Sequence, residues 1–548
     1  MSQKTPFTFP NLIAETVKKH GTLPSMGFAG EEPITYNQLN DRILSVSAFL
    51  EQLGVSPGTR VAILSVNMPN WAITYLAIVN IGAVVVPILP DFSIAEIDNV
   101  LNHSGVNSIF VSANLMHKLE GVSVEGLRYQ VRIEDFTIIH PPKSLVEYRQ
   151  TARPVHKYQI SENQLAAIIY TSGTTGKSKG VMLSHKNICF TAYKCRSVEP
   201  LNTTDRLLSV LPLSHTYENT IGLMLPLVGG SSVYYLSRPP TPTILLPALK
   251  AVRPTCMLTV PLIIEKIYHS RIKPAFHKNR FTRMLYAFPP TRTLMNRLAG
   301  KKLMQIFGGE LKFFGIGGAK LSETVEKFLI DARFPIAIGY GLTETSPLLA
   351  GSNPRNHRLQ STGPILEGVS VKIHQPDPVT GEGEIWAKGA NVMKGYYREP
   401  ELTKQIITDD GWLKTGDLGV LSDDGFLSIR GRKKNVIIGA NGENIYPEEI
   451  ESVINNFRFV NESLVIEKKG QLVALVYFNQ EDIESFYQLM RDEFKGLEER
   501  CEEVRKELHQ YINSKMGRNS QIKLVVNHLQ PFQKTATQKI KRFLYQEV

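Results

Sequence analysis

The chain has 548 residues, 42% hydrophobic and 21% charged, with 62 Lys and Arg against 51 Asp and Glu for a net charge of +11. That length exceeds what one hydrophobic core holds, so two or more domains are expected, one of them large. The composition is that of a soluble globular protein and excludes fibrous, disulfide-dense and disordered classes. The basic excess suits an anionic substrate or an acidic membrane surface, and no long basic run interleaved with aromatics points to nucleic acid.

Cys189, Cys195, Cys256 and Cys501 make no C-x-x-C pair and no metal-ligand spacing, which implies a reduced intracellular chain without structural zinc. Met1 to Gly21 is polar and lacks the apolar region of a signal peptide, so a cytoplasmic location is expected. The stretch from Trp71 to Pro90 is about long enough to span a bilayer. Asn80, Gly82, Pro87 and Pro90 interrupt it, and Arg60–Ser65 precedes it as a short apolar run. It therefore reads as part of a buried βαβ unit.

Taken in order, Pro10 to His20 and Thr35 to Leu53 have helical patterning. Arg60–Ser65, Ala83–Ile88 and Ser108–Ser112 read as parallel strands, hydrophobic throughout and so covered on both faces. The alternation resumes with Arg206–Leu211, Ser232–Leu236, Cys256–Val260, Leu311–Ile316 and Pro335–Ile338. The pattern predicts an open α/β sheet with ligands at the loops after the strands. Between Val369 and Arg430, short strands and Gly/Asp turns indicate a β-rich subdomain. Gly431–Asn435 reads as a charged connector. Beyond it, an α+β segment carries strands at Ser463–Glu467 and Leu472–Phe478 and a charged helical stretch from Gln480 to Lys515, whose charges read as a solvated face.

One loop stands out. After the apolar run Leu165–Tyr170 comes Thr171-Ser172-Gly173-Thr174-Thr175-Gly176-Lys177-Ser178-Lys179-Gly180, with three glycines, two lysines and five hydroxyl residues. Glycines let backbone N–H groups close on an anion, and hydroxyls and ammonium groups add donors, so a polyphosphate fits; a flexible polar surface loop is the bland alternative. It is not a Walker A loop, because the position five before Gly176 is Thr171.

Five further stretches follow. Leu211–Glu218 puts His215 in a loop after a strand, where a structural role competes with a catalytic one. Phe314–Ala319 ends a strand in residues small enough for a flat ring or thin chain, or simply for close packing. Gly339–Thr345 offers the Tyr340 face for a purine, the Thr343 hydroxyl for phosphate and the Glu344 oxygens for Mg²⁺. In Gly411–Gly419, Asp417 is able to accept from ribose hydroxyls. Lys534–Arg542 lies near the C-terminus, and each stretch alone passes for an ordinary turn.

In order and spacing, Thr171–Gly180, Gly339–Thr345, Thr415–Gly419, Gly431–Lys434 and Lys539–Arg542 resemble the core motifs of the adenylate-forming superfamily, and the run Asn441–Glu449 looks like its long-chain fatty acyl-CoA synthetase branch. The resemblance covers essentially the whole chain. It implies an α/β fold: a large N-terminal domain (1–431) of mixed and parallel sheets flanked by helices, with a β-rich subdomain at about 365–431, and a small mobile α+β C-terminal domain (432–548). It implies an AMP-forming acid–thiol ligase that uses ATP, Mg²⁺ and coenzyme A and makes an acyl-adenylate before the thioester.

Carried over, Thr171, Ser172, Gly173, Thr174, Thr175, Gly176 and Lys177 are the nucleotide loop, cradling the β- and γ-phosphates. Glu344 is the metal ligand and Thr343 the α-phosphate contact. Gly317, Gly318, Ala319, Tyr340 and Gly341 lie around the adenine, with Asp417 and Arg432 on the ribose. Lys434 is the hinge, Gly442 lines the pantetheine tunnel, His215 stands between acyl pocket and tunnel, and Lys539 is the catalytic cation. Two positions depart from the family pattern: Gln538 where glycine is usual, and Lys320 where proline is common.

Gly341 matches a position where acetate-restricted relatives carry tryptophan, which implies an open acyl channel. A long-chain fatty acid is the first expectation. An aromatic acid and an acyl-AMP ligase serving a carrier protein remain as alternatives. Fatty acid, ATP and coenzyme A are the expected partners, without nucleic acid, and the charge together with a lipid-like substrate motivates a peripheral contact at the inner face of the membrane.

Overall fold

The computed structural model describes residues 6–142, 144–171, 178–439, 444–489, 497–517, 520–535 and 539–545. Two eight-stranded mixed sheets form the body. The first runs, edge to edge, Gly395–Tyr396, Lys179–Ser184, Leu165–Thr171, Val84–Ile88, Arg60–Leu64, Ser108–Val111, Tyr129–Arg132 and Ile138–His140. The second runs Leu348–Gly351, Ile336–Gly341, Phe313–Ile316, Cys256–Thr259, Arg206–Ser209, Ser232–Tyr235, Pro24–Phe28 and Ile34–Thr35. Central pairings are parallel, as with Val61 beside Val85 and Met257 beside Phe314. Such strands are buried on both faces, which is why they read as unbroken apolar runs.

The helices between the sheets start at the residues their sequences provide. The Thr8 hydroxyl accepts the Asn11 N–H at the head of Phe9–His20. Thr35 and Gln38 form a reciprocal capping box for Tyr36–Gln52. The segment long enough to span a membrane is instead the helix Pro69–Asn80 followed by the strand Val84–Ile88. Trp71 and Tyr75 stack with centroids 5.4 Å apart inside the largest core. Among the described residues no helix is long and apolar enough to cross a bilayer.

Residues 363–432 build a five-stranded antiparallel sheet, ordered Gly363–Pro364, Phe426–Arg432, Leu413–Leu421, Gly383–Gly389, Val369–His374. The expected connector is corrected here: Gly431 and Arg432 are the last residues of Phe426–Arg432, paired with Leu418 and Asp417, and only Lys433–Asn435 forms a turn. Beyond it, a sheet of Val460–Lys468, Gln471–Phe478 and Leu524–Asn527 packs on Pro447–Asn455 and Leu497–Lys515 around its own core. The charged stretch is two helices, Gln480–Leu489 and Leu497–Lys515.

Candidate functional site

The two large sheets meet at a cleft. Leu165–Thr171 and Lys179–Ser184 are antiparallel neighbours, with Thr171 opposite Lys179, so the glycine- and hydroxyl-rich loop joins their ends. Of that loop, Ser172, Gly173, Thr174, Thr175, Gly176 and Lys177 lie outside the described residues, as does Gly442. Thr171 and Lys179 mark where it begins and ends.

From the second sheet, Ile336–Gly341 continues three residues beyond the expected strand, carrying Tyr340 to the cleft, and Thr343–Thr345 turns immediately after it. The Thr345 hydroxyl fixes that turn, accepting from the Leu342 N–H at 2.9 Å and donating to the Pro347 carbonyl at 2.8 Å. Thr343 and Glu344 are half-buried on it. Glu344 Oε1 accepts a 2.7 Å hydrogen bond from the Tyr396 phenol, which comes from the edge strand of the first sheet. Burial first, and then Glu344, raise the Tyr396 pKa above that of ordinary tyrosine, so the phenol stays a donor. Lys179 stands over the Tyr396 ring, 5.4 Å from its centre. Lys179 is the second lysine of the glycine- and hydroxyl-rich loop, whereas the sequence reading missed Tyr396; the signal was a tyrosine preceded by glycine in Lys394-Gly395-Tyr396, which places a ring at a sheet edge.

Asp417 is 3% exposed. Its Oδ2 accepts from the Tyr340 phenol at 2.7 Å, and its Oδ1 faces Arg432 Nε at 2.7 Å. Burial raises the carboxyl pKa above its ordinary value, against the opposing pull of Arg432, the Tyr340 hydroxyl and Lys539.

Lys539 joins this group from the far end of the chain. It closes a short hairpin in which Lys534 bridges Ile540 and the Thr535 N–H donates to the Lys539 carbonyl at 2.8 Å. Lys534 is tied to Glu462 at 2.5 Å and Arg542 to Glu451, fastening the hairpin base to the C-terminal sheet and the helix Pro447–Asn455. Lys539 keeps accessible surface at the mouth of the cleft, while its ammonium is desolvated. That burial, with Arg432 beside it, lowers its pKa below the usual lysine range, and Asp417 and Glu344 oppose the shift. Lys434 is lowered too, by burial and then by Arg432 and Lys179.

His215 faces the same ammonium. Burial, then Lys539, hold its pKa down to about 4. Its Nδ1 accepts the Tyr217 N–H at 3.3 Å, so the ring is neutral with its proton on Nε2. Lys179, Arg432, Lys434 and Lys539 thus gather around the carboxylates of Glu344 and Asp417. The excess of cation suits a polyphosphate.

An apolar pocket in the second sheet is walled by Leu207, Tyr217, Leu258, Gly315, Gly339 and Leu348, with Tyr217 two residues beyond His215. The Tyr217 ring packs on the second sheet, and a Cβ at Gly317 would sit 3.1 Å from its Cζ. Gly318 has a φ of +86°, a conformation glycine tolerates best, and carries the chain away from the sheet. Ala319 and Lys320 follow; Lys320 pairs with Glu449 at 3.1 Å, which accounts for a charge where proline is common. At Gly341 a Cβ would collide with the Pro347 carbonyl oxygen, so the backbone itself requires glycine there, and Gly339 and Gly315 line the pocket.

Two mixed sheets around a cationic cleft, with a lysine brought in by a separate C-terminal layer, define an adenylate-forming enzyme. The chain belongs to the AMP-binding enzyme family, whose profile matches residues 13–397. It is 30% identical over 488 residues to the long-chain-fatty-acid–CoA ligase FadD15 of Mycobacterium bovis, covering 83% of this chain and 79% of that protein. It is 29% identical to the long-chain-fatty-acid–CoA ligase heimdall of Drosophila melanogaster, covering 82% of this chain and 72% of the other. Among solved structures, the anthranilate CoA ligase AuaEII with anthranoyl-AMP superposes with a TM-score of 0.78 at 19% identity, covering 99% and 97% of the two chains. The o-succinylbenzoate coenzyme A synthetase of Bacillus subtilis with ATP and magnesium gives 0.75 at 22% identity, covering 97% and 98%. At those identities the structures establish the shared fold.

Proposed function

We propose that this chain activates a fatty acid, long-chain by preference, with ATP and transfers the acyl group to coenzyme A. The observation that carries the reading is the convergence of Lys539, from the C-terminal layer, with Arg432, Asp417 and Glu344 in one cleft beside an apolar pocket. In the first step a carboxylate oxygen attacks the α-phosphorus, the bond to the β-phosphate oxygen breaks, and pyrophosphate leaves. Two anions approach each other, and the Lys539 ammonium lies where it offsets their charge. In the second step the thiol attacks the acyl carbonyl, loses its proton and expels AMP.

Asp417 and Arg432 hold the ribose, Tyr340 and Gly317–Ala319 border the adenine, and Thr343 meets the α-phosphate. Glu344 Oε1 is occupied by the Tyr396 phenol, leaving Oε2 to face Mg²⁺. A single carboxylate would be enough to hold Mg²⁺ that arrives with a nucleotide, since such an ion would take the rest of its oxygens from phosphate and water. Bound there, it neutralises phosphate charge. Neutral His215 orients the acyl carboxylate at the pocket mouth through its Nε2 proton.

The C-terminal unit, 432–548, turns about Lys434 between the two steps, removing Lys539 and admitting the thiol. A cytoplasmic position against an anionic membrane belongs to the same reading, supported by the charge of +11 and a lipid-like substrate.

The test is pyrophosphate release across fatty, aromatic and amino acids, with and without coenzyme A. Long-chain acids should give the highest kcat/KM, with acyl-CoA formed. No AMP from any carboxylate refutes the reading, an aromatic preference moves it to the aromatic-acid ligases, and adenylate without acyl-CoA moves it to carrier-protein delivery.

A further inference from the structure

The four helices Pro261–Ile267, Lys273–Phe276, Arg280–Ala287 and Pro289–Ile306 form an insertion between the strands Cys256–Thr259 and Phe313–Ile316. Between Lys266 and Gly309 the sequence contains no aspartate or glutamate. It contains ten cations: Lys266, Arg271, Lys273, Lys278 and Arg280, then Arg283, Arg292, Arg297, Lys301 and Lys302. The net charge of the whole chain is +11, so this segment of ten cations and no acids accounts for all but one unit of it. Apart from the adjacent Lys301 and Lys302, the cations are spread singly along the helices, so no long run signals them in the sequence.

Nine of the ten are exposed; the tenth, Lys273, donates to the Asn456 carbonyl at 2.8 Å. Among the described residues, none of the ten lies within ion-pair distance of a carboxylate. Large apolar side chains stand between them. Arg280–Ala287 buries no residue, and Phe281 (63% exposed), Met284 and Phe288 follow one another at spacings of three and four along one stripe. Leu294 and Leu298 continue it on the next helix. The reverse side of the insertion is anchored: Tyr268, Phe276, Leu303 and Phe307 pack against Phe314 and Phe328. A face anchored behind and apolar in front, with cations at the flanks, matches an element lying in the plane of a lipid interface.

We propose that this face docks on an anionic bilayer, with Phe281, Met284 and Phe288 entering the headgroup boundary and the surrounding cations meeting acidic lipids. The proposal deepens the membrane contact suggested above, and rests on the fatty-acid reading for why a bilayer is the right partner. A second copy of the chain is disfavoured as occupant, since it would bring cation against cation. Nucleic acid would use the charges but gain little from three aromatic and aliphatic side chains standing clear of any groove.

The experiment is cosedimentation of the full chain with vesicles of phosphatidylcholine alone and of phosphatidylcholine with about one-third phosphatidylglycerol, without ATP or acid. Pelleting with the anionic vesicles at low salt, reduced at high salt and absent with neutral vesicles, is expected. R280E/R283E should lower partitioning about thirtyfold or more. F281S/F288S should remove the part of binding that resists salt. Pyrophosphate release with a short soluble acid should be unchanged in both variants, confirming that they fold. Loss of binding in one folded variant supports the proposal if the other cannot be made. No pelleting of the wild type, or equal pelleting of both variants, overturns it, as does tighter binding to duplex RNA than to vesicles. Because no substrate is present, failure here leaves the ligase reading intact, and an inactive enzyme that still pellets fails only that reading.

Discussion

Tyr340 and Asp417, 77 residues apart in sequence, meet through a 2.7 Å hydrogen bond that ties the second large sheet to the five-stranded one. The other oxygen of Asp417 is taken by Arg432. The pair therefore fixes the carboxylate that the ribose would meet. Asp417→Asn leaves the guanidinium without its counter-charge. Breaking a fully buried pair costs about 3–5 kcal/mol, and the 39% exposure of the Arg432 side chain reduces that to roughly 1–2 kcal/mol. KM for ATP should rise about tenfold or more. Tyr340→Phe removes one neutral donor and should cost about 1 kcal/mol, a several-fold rise. ATP–pyrophosphate exchange measures both, and an unchanged KM in both variants would take Asp417 out of the nucleotide site.

For Lys539 the informative quantity is the ratio between half-reactions. Lys539→Ala should slow pyrophosphate release by about 10²–10³-fold, the usual effect of losing one preorganised charge. Thioester formation from supplied acyl-adenylate should stay within several-fold of wild type. Because burial and Arg432 lower the ammonium pKa, the charged form is lost as pH rises through a value below that of a free lysine. Adenylation should therefore decline at a less alkaline pH than an ordinary lysine dictates, and the thioester step should lack this limb. Equal losses in both half-reactions would count against the assignment.

How much of this was legible beforehand follows from physics at each position. The strands at 60–64, 84–88 and 206–209 were readable because parallel strands covered on both faces must be apolar throughout. The helix at 36–52 was readable from its apolar periodicity, and the structure adds the Thr35–Gln38 capping box at its start. Arg432 was misplaced because a strand that ends on a charged residue looks like a linker until its partner, Asp417, is known. The backbone need for glycine at 341 was not legible, because its nearest obstacle, the Pro347 carbonyl, arises from a reversal of the chain that no spacing rule describes. The motif residues Tyr340, Asp417, Arg432 and Lys539 converge, whereas Tyr396 entered the site only through its hydrogen bond to Glu344, and the contacts that Lys179 makes with Tyr396 and Tyr217 with Gly317 needed the folded chain.

Asn456 supplies a third prediction. It follows the helix Pro447–Asn455 and exchanges hydrogen bonds with Ser322 at 3.0 and 3.1 Å, while its carbonyl receives Lys273. With Lys320–Glu449, these contacts hold the C-terminal layer against the body in the arrangement that delivers Lys539. Asn456→Ala should weaken that arrangement by about 1–2 kcal/mol and slow adenylation about tenfold, without slowing thioester formation from supplied adenylate. Single-turnover measurements of each step decide it. Unchanged adenylation would mean that other contacts set the pose.

Glu218 yields the last prediction, through stability rather than rate. It opens the π-helix Glu218–Met224, is 1% exposed, and accepts from the Ser209 hydroxyl at 2.6 Å on one carboxyl oxygen, while the other has no hydrogen-bond partner among the described residues. Burial lifts its pKa to about 8, against about 4.3 in the unfolded chain. The folded state therefore keeps a proton that the unfolded chain releases. The stabilisation is complete below pH ~4.3 and is lost as pH rises through about 8, a fall of roughly 3–5 kcal/mol across that window. Glu218→Gln keeps the shape and the acceptor for Ser209 but cannot ionise. Its melting temperature should match wild type near pH 5 and exceed it by several degrees at pH 8. Parallel melting curves at both pH values would mean that the wild-type carboxylate finds a counter-charge or water on ionising, and that its unpartnered oxygen is not dry.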